Sequence, residues 1–149
     1  MNESLVEEAL KLLVLRETLV EENLSCIVQK PNGQIVKETG TGIAPTIRLL
    51  ESGVLPGSIV VDKIIGKAAA MLMTLGKVYH VHGVVMSRSA FEWLEGHSIS
   101  ASYDTLVDFI VNRVGNGVCP MEETVQGVSD EKIALSLLKK KIEELKAKR

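Results

Sequence analysis

Apolar residues in this chain recur with two different periods, and the switches between them outline the elements. Leu5, Ala9, Leu12, Leu13 and Leu19 fall roughly on one helical face behind a Ser4-Leu5-Val6-Glu7 capping box, which predicts an opening helix to about residue 19. Two short apolar runs, 24–30 and 34–38, flank Pro31-Asn32-Gly33, and Asn-Gly between such runs is a strong hairpin signal. Residues 43–51 read as a helix stopped by Ser52-Gly53, and Pro56-Gly57 leads into a strand over 58–61. A second long helix is expected over 62–75, with Asp62 as its N-cap and Gly76 as its end. Residues 78–86 are rich in β-branched side chains and read as a strand, 88–94 as a short helix, and 99–103 as a short strand. Asp104 could cap a helical stretch to about Val114, although the Val and Ile content there also suits a strand. The last helix begins near Ser129, acidic in its first turn and basic in its last, as the helix dipole favours.

Helices alternating with strands, with one early hairpin, predict a mixed sheet covered by helices on both faces, a three-layer α/β/α fold. At 149 residues and 46% hydrophobic content, one domain spanning 1–149 is expected, with the helix from about 129 as an appendage. A chain of this size buries roughly 68–70% of its unfolded surface.

Charge narrows the function classes. The 17 basic and 19 acidic residues leave a net charge of −2, without the broad basic footprint of a nucleic-acid binder. Aromatics at 3% supply no base-stacking platform. Cys26 and Cys119 form neither a disulfide framework nor a metal quartet, and reduced thiols suit a cytoplasmic protein. Neither a secretory leader nor an apolar run of membrane-spanning length is visible, so no membrane partner is expected.

Four stretches could carry chemistry. Gly115-Asn116-Gly117-Val118 leads into Cys119-Pro120-Met121-Glu122-Glu123, which places Cys119 at the start of a helix, where a thiol can ionise near neutral pH; Glu122 opposes this by its charge. The loop Thr39-Gly40-Thr41-Gly42-Ile43-Ala44-Pro45 could cradle a phosphate on its backbone amides or simply open a helix. Over this loop alone it resembles the pyrophosphate loop of ferredoxin reductase-type flavoproteins, and no flavin-binding domain precedes it.

In the helix expected from Asp62, Lys63 and Lys67 would stand one turn apart on one face, two cations at the positive helix end. An anion held between them would relieve that conflict. Gly66, costing about 1 kcal/mol against Ala inside a helix, would then mark the close approach of a backbone or a ligand. His80 and His82 share one face of their strand and read as half-buried histidines, with metal ligation or proton transfer as the functional alternative. Leu135, Leu138, Ile142 and Leu145 form a short seam on the last helix, for packing on its own domain or, as an oligomerising module, on another copy.

Val61-Asp62-Lys63-Ile64-Ile65-Gly66-Lys67-Ala68-Ala69-Ala70, Val85-Met86-Ser87, and Ile110-Val111-Asn112-Arg113 followed by Cys119-Pro120-Met121-Glu122 together resemble a prokaryotic family of small proteins, a domain of unknown function with a cytidine-deaminase-like fold. The resemblance implies a site built from the N-termini of two helices, one opening at Asp62 and one after Met86-Ser87. A zinc deaminase needs a His or Cys with a Glu two residues on, and a Pro-Cys-x-x-Cys on the second helix. Lys67-Ala68-Ala69 and Ser87-Arg88-Ser89-Ala90 stand there instead, so neither a metal nor another cofactor is expected, and zinc-dependent deamination is not. What remains is a metal-free pocket near Asp62, Lys63, Lys67, Ser87, Thr41, Gly42 and Arg113 for a small anionic metabolite or nucleotide. A cysteine-dependent reaction with Cys119 as nucleophile beside Glu122 is the alternative.

Overall fold

The computed structural model describes residues 3–112 and 114–148; the expectation for Arg113 lies outside them. Its elements run α1 (Glu3–Glu21), β1 (Cys26–Gln29), β2 (Ile35–Glu38), α2 (Ala44–Glu51), β3 (Ile59–Ile65), α3 (Lys67–Leu75), β4 (His80–Ser87), α4 (Arg88–Gly96), β5 (Ser100–Val107), α5 (Pro120–Thr124) and α6 (Glu131–Ala147). The strands form one mixed sheet in the order β2-β1-β3-β4-β5. β1 pairs antiparallel with both β2 and β3, whereas β3, β4 and β5 run parallel. The β1–β2 hairpin turns at Gly33, whose φ of 90° lies in the left-handed region that glycine enters without strain.

The two sheet faces are covered unequally. Successive strand residues point to opposite faces: Cys26, Val28, Val60 and Val81 join a core with α2, α3, α4 and α6, while Ile27, Ile59 and Val61 cluster with Leu12, Leu15 and Leu19 of α1 and with Leu24. The three-layer α/β/α expectation therefore holds, with a thick layer on one side and a single helix on the other. α6 lays Ala134 and Leu138 into the larger core with Leu135 and Ile142 beside them, so its seam packs on its own domain.

Three expectations about local structure are corrected. Asp62 is not a helix cap: the Val-Val-Asp-Lys-Ile-Ile run stays extended to Ile65, and α3 starts at Lys67 with Gly66 as N-cap. The β-branched residues and two hydrogen-bonded neighbours outweigh the capping preference of Asp62. Its carboxylate instead accepts the N–H of Ile64 at 3.0 Å within the strand. The stretch after Asp104 is not helical either. β5 runs on to Val107 because its residues on both sides of Asp104 pair with β4, from His80↔Ser100 to Ser87↔Val107. In α1, Ser4 lies inside the first turn rather than before it, and Leu5 and Leu13 are exposed. The buried residues of the helix, Leu15 and Leu19, lie in its second half.

Candidate functional site

The strand register gathers most of the anticipated residues at one end of the sheet. Glu38 lies opposite Cys26, Cys26 opposite Asp62, and Asp62 opposite Gly83. The Thr39–Gly42 loop after β2, the Gly66–Lys67 junction after β3 and Ser87 at the end of β4 thus share the carboxyl end of the parallel strands, where open α/β sheets bind their ligands.

At the centre of this end stands the N-terminus of α3, and it already holds an anion. Glu122 reaches over from α5 and accepts the backbone N–H of Lys67 at 2.7 Å and that of Ala68 at 2.9 Å, one on each carboxylate oxygen. These are two of the donors that a helix start leaves without partners. Gly66 makes the approach possible: with φ −99° and ψ 179° its backbone is open to any residue, but a Cβ there would collide with all three carboxyl atoms of Glu122. The close approach expected at Gly66 is real, although Gly66 precedes the helix instead of interrupting it. Burial holds the Glu122 carboxyl above its ordinary range, against the opposing pull of the two amides and of Lys67.

Lys67 and Lys63 do not form a pair. Lys67 donates from Nζ to the carbonyls of Val125 at 3.2 Å and Val128 at 2.9 Å, closing the segment that carries Glu122 over α3, and its ammonium lies 5.7 Å from the Trp93 ring centre. Lys63 sits in β3, so the one-turn spacing that a helix would have given is lost. Its Nζ donates to Asn23 Oδ1 at 2.6 Å, at the end of α1.

Asp62 and Cys26 lie beneath this site as cross-strand partners. Burial pushes the Asp62 carboxyl up to about 7, although the Ile64 amide, the Cys26 thiol and Lys63 favour its charge. The same burial, with Asp62 beside it, pushes the Cys26 thiol well up. Ser87 is a buried cap, its Oγ accepting the Ala90 N–H at 3.1 Å. In the preceding loop Gly42 takes a φ of 71° beside Thr41, and Arg48 ties the loop down by donating to Glu38 Oε1 at 2.8 Å and to the Thr39 carbonyl at 3.1 Å. The loop opens α2 with Pro45 in the first turn.

Cys119 is the N-cap of α5, as its Pro-Met-Glu sequence predicts, but this helix has five residues and the cysteine side chain makes no capping bond. It is half-buried, whereas Cys26 is fully enclosed. No group of three or more His, Cys, Asp or Glu among the described residues could hold a metal ion. No helix of the described residues is long and apolar enough to cross a membrane.

Two surface grooves, of about 180 and 190 Å³, open at the opposite end of the sheet, the first around Pro31 and Gly57 and the second between α1 and the start of β4. His80 and His82 lie on the α1 face of β4, away from Glu122. Their hydrogen-bond partners are Ser100, Ser102 and Asp104 of β5. That cluster escaped the sequence reading, yet the signal was present: His-x-His and Ser-x-Ser-x-Asp share the strand period of two.

Comparison with known proteins agrees with this architecture. Residues 14–142 match the family TM1506, described as a domain of unknown function (DUF1893). The fold is similar to the crystal structure of a DUF1893 family protein (TM1506) from Thermotoga maritima, with a TM-score of 0.78, 27% sequence identity, and coverage of 95% of this chain and 92% of that one. No curated protein matches the chain.

Proposed function

This chain belongs to the DUF1893 family, and we propose that it binds a small anionic metabolite or nucleotide at the α3 N-terminus, in a metal-free, cytidine-deaminase-like pocket. The observation that carries this is the pair of α3 amides, at 2.7 and 2.9 Å from the Glu122 carboxylate, with Gly66 stripped of a side chain to admit it. Two convergent amides at a positive helix end are an anion cradle. Glu122 is the resident anion. A ligand phosphate or carboxylate takes its place when α5 swings away, and the same motion frees the Lys67 ammonium from the Val125 and Val128 carbonyls. Glu122 and Lys67 thus form a latch whose two halves open together.

Thermal unfolding of wild type and Glu122→Ala in phosphate or adenosine monophosphate tests this. Removing the internal competitor should give the variant the larger rise in melting temperature at equal ligand, by mass action on the folded state. Lys67→Gln should reduce the rise in both backgrounds. If neither protein responds to these anions more than to sodium chloride of equal ionic strength, the anion site is refuted.

A further inference from the structure

On the α1 face, β4 and β5 carry a continuous hydrogen-bonded ladder. Ser100 Oγ lies 2.7 Å from His80 Nδ1, His80 Nε2 lies 2.8 Å from Ser102 Oγ, Ser102 Oγ lies 2.7 Å from His82 Nδ1, and His82 Nε2 lies 2.8 Å from Asp104 Oδ1. Arg16 of α1 closes it by donating to Asp104 Oδ2. The strand pairing builds this ladder, since His80 is opposite Ser100 and His82 opposite Ser102.

Hydrogen-bond logic fixes the direction of every rung when both imidazoles are neutral. Arg16 holds Asp104 below the ordinary carboxylate range, so Asp104 is an acceptor only and His82 must donate from Nε2. Nδ1 of His82 is then bare and accepts the Ser102 hydroxyl. Ser102 has used its one proton, so it accepts from His80 Nε2–H. His80 is left with a bare Nδ1, which accepts the hydroxyl proton of Ser100. The far end of the ladder is a serine hydroxyl donating to an oriented imidazole at 2.7 Å, the relation between nucleophile and general base in acyl-transfer enzymes. Burial lowers the His80 pKa, which keeps the imidazole unprotonated at neutral pH.

Ser100 and His80 line the groove of about 190 Å³ between α1 and the sheet, whose other walls include Leu5, Ala9, Leu12 and Ile59. Glu8 and Tyr79, hydrogen-bonded to each other, complete the lining. A serine–histidine pair facing such a mainly apolar slot with one carboxylate suits an uncharged ester with a short aliphatic acyl group.

We propose that Ser100 and His80 form a hydrolytic site for short-chain carboxylic esters, with Ser102, His82 and Asp104 as positioning residues. The Ser100 oxygen bonds to the acyl carbon as its proton passes to His80 Nδ1. The ester C–O bond then breaks, and the leaving alkoxide takes that proton and departs as an alcohol. Water attacks the acyl-serine and gives one proton to His80, which returns it to Ser100 Oγ as the carboxylic acid leaves.

The test uses the full chain with p-nitrophenyl butyrate and, separately, a fluorophosphonate. One phosphonyl adduct per chain is expected, on the peptide containing Ser100, and Ser100→Ala, an exposed position, should abolish it with an unchanged circular dichroism spectrum. His80→Gln should lower ester turnover by about a hundredfold or more. Ser102→Ala should lower kcat more than it changes KM and move the midpoint of the pH–rate profile, which wild type should show below the ordinary imidazole value. The charged or titratable groups acting on that midpoint are Glu8 of α1, which raises it, and His82 of β4, which lowers it. Labelling no greater than that of heat-unfolded protein, or an adduct that survives Ser100→Ala, overturns the proposal.

Discussion

The two ends of the parallel strands put polar side chains to opposite uses. At the carboxyl end Glu122, Lys67 and the α3 amides satisfy one another, and the space is closed. At the amino end the Ser100–Asp104 ladder also satisfies itself rung by rung, but its first hydroxyl faces an open groove. Internal satisfaction is therefore not what separates a structural cluster from a reactive one. Cover is what separates them: α5 and α6 lie on the thick face with α3, while α1 alone, through Leu15 and Leu19, covers the thin one.

The largest effect should come from weakening that thin cover. Leu19 is fully buried and is one of two core residues that α1 supplies, so Leu19→Ala should cost ~2–5 kcal/mol in urea denaturation. Hydrogen exchange should show α1 opening ahead of the rest, because no other described helix shares its face. Simultaneous loss of protection in α1 and α6 would mean that the two faces are one cooperative unit and that the contrast between them is not energetic.

Next in size are substitutions in the Glu122 latch. Gly66→Ala should expel the carboxylate, since the flexible end of a side chain yields before the backbone does, and should cost about 1–3 kcal/mol for the lost charged hydrogen bonds. Glu122→Ala removes the same bonds, so the double variant should be no less stable than the weaker single one. Additive costs would show that Gly66 and Glu122 act independently.

These two residues also mark how far the sequence could be read. The hairpin at Asn32-Gly33, the Cys119-Pro120 helix start and the start of α6 close to Ser129 are local, and each was legible from a few neighbouring residues. Asp62 and Asp104 have the chemistry of helix caps, and both lie within strands, because partners twenty or more residues away pull them into the sheet. A close approach at the glycine in position 66 was legible. That Glu122, whose carboxylate accepts from Lys67, 55 residues before it, is what crowds Gly66 was not, since nothing local ties α5 to α3.

A third effect separates the ends by pH. Asp62 has a native value of about 7, above the unfolded one, so the native state binds more protons between the two. Stability should therefore fall as pH rises from about 4 to 7, with Glu122 adding in the same direction. Asp62→Asn should flatten most of that slope in pH-dependent urea melts. A slope unchanged by the substitution would assign the titration elsewhere.

The smallest expected change belongs to Arg16→Gln. Its ion pair with Asp104 is partly exposed, and such pairs contribute little to stability. The sign is opposite to that of Asp62: Asp104 is held below its ordinary value, so its contribution is present above that value and is lost as pH falls through the native one. Without Arg16, the largest cause of that lowering, the acid loss should shrink, leaving only the part due to His82. Asp104 should still be ionised at neutral pH and should still accept from His82 Nε2, so every rung keeps its direction. Arg16→Gln should thus alter acid stability while leaving Ser100 labelling near pH 7 within about twofold of wild type, since the general base itself is untouched. If labelling falls as far as it does in His80→Gln, the helix would be part of the relay itself, and the thin face would owe its reactivity to α1 as well as to the groove beneath it.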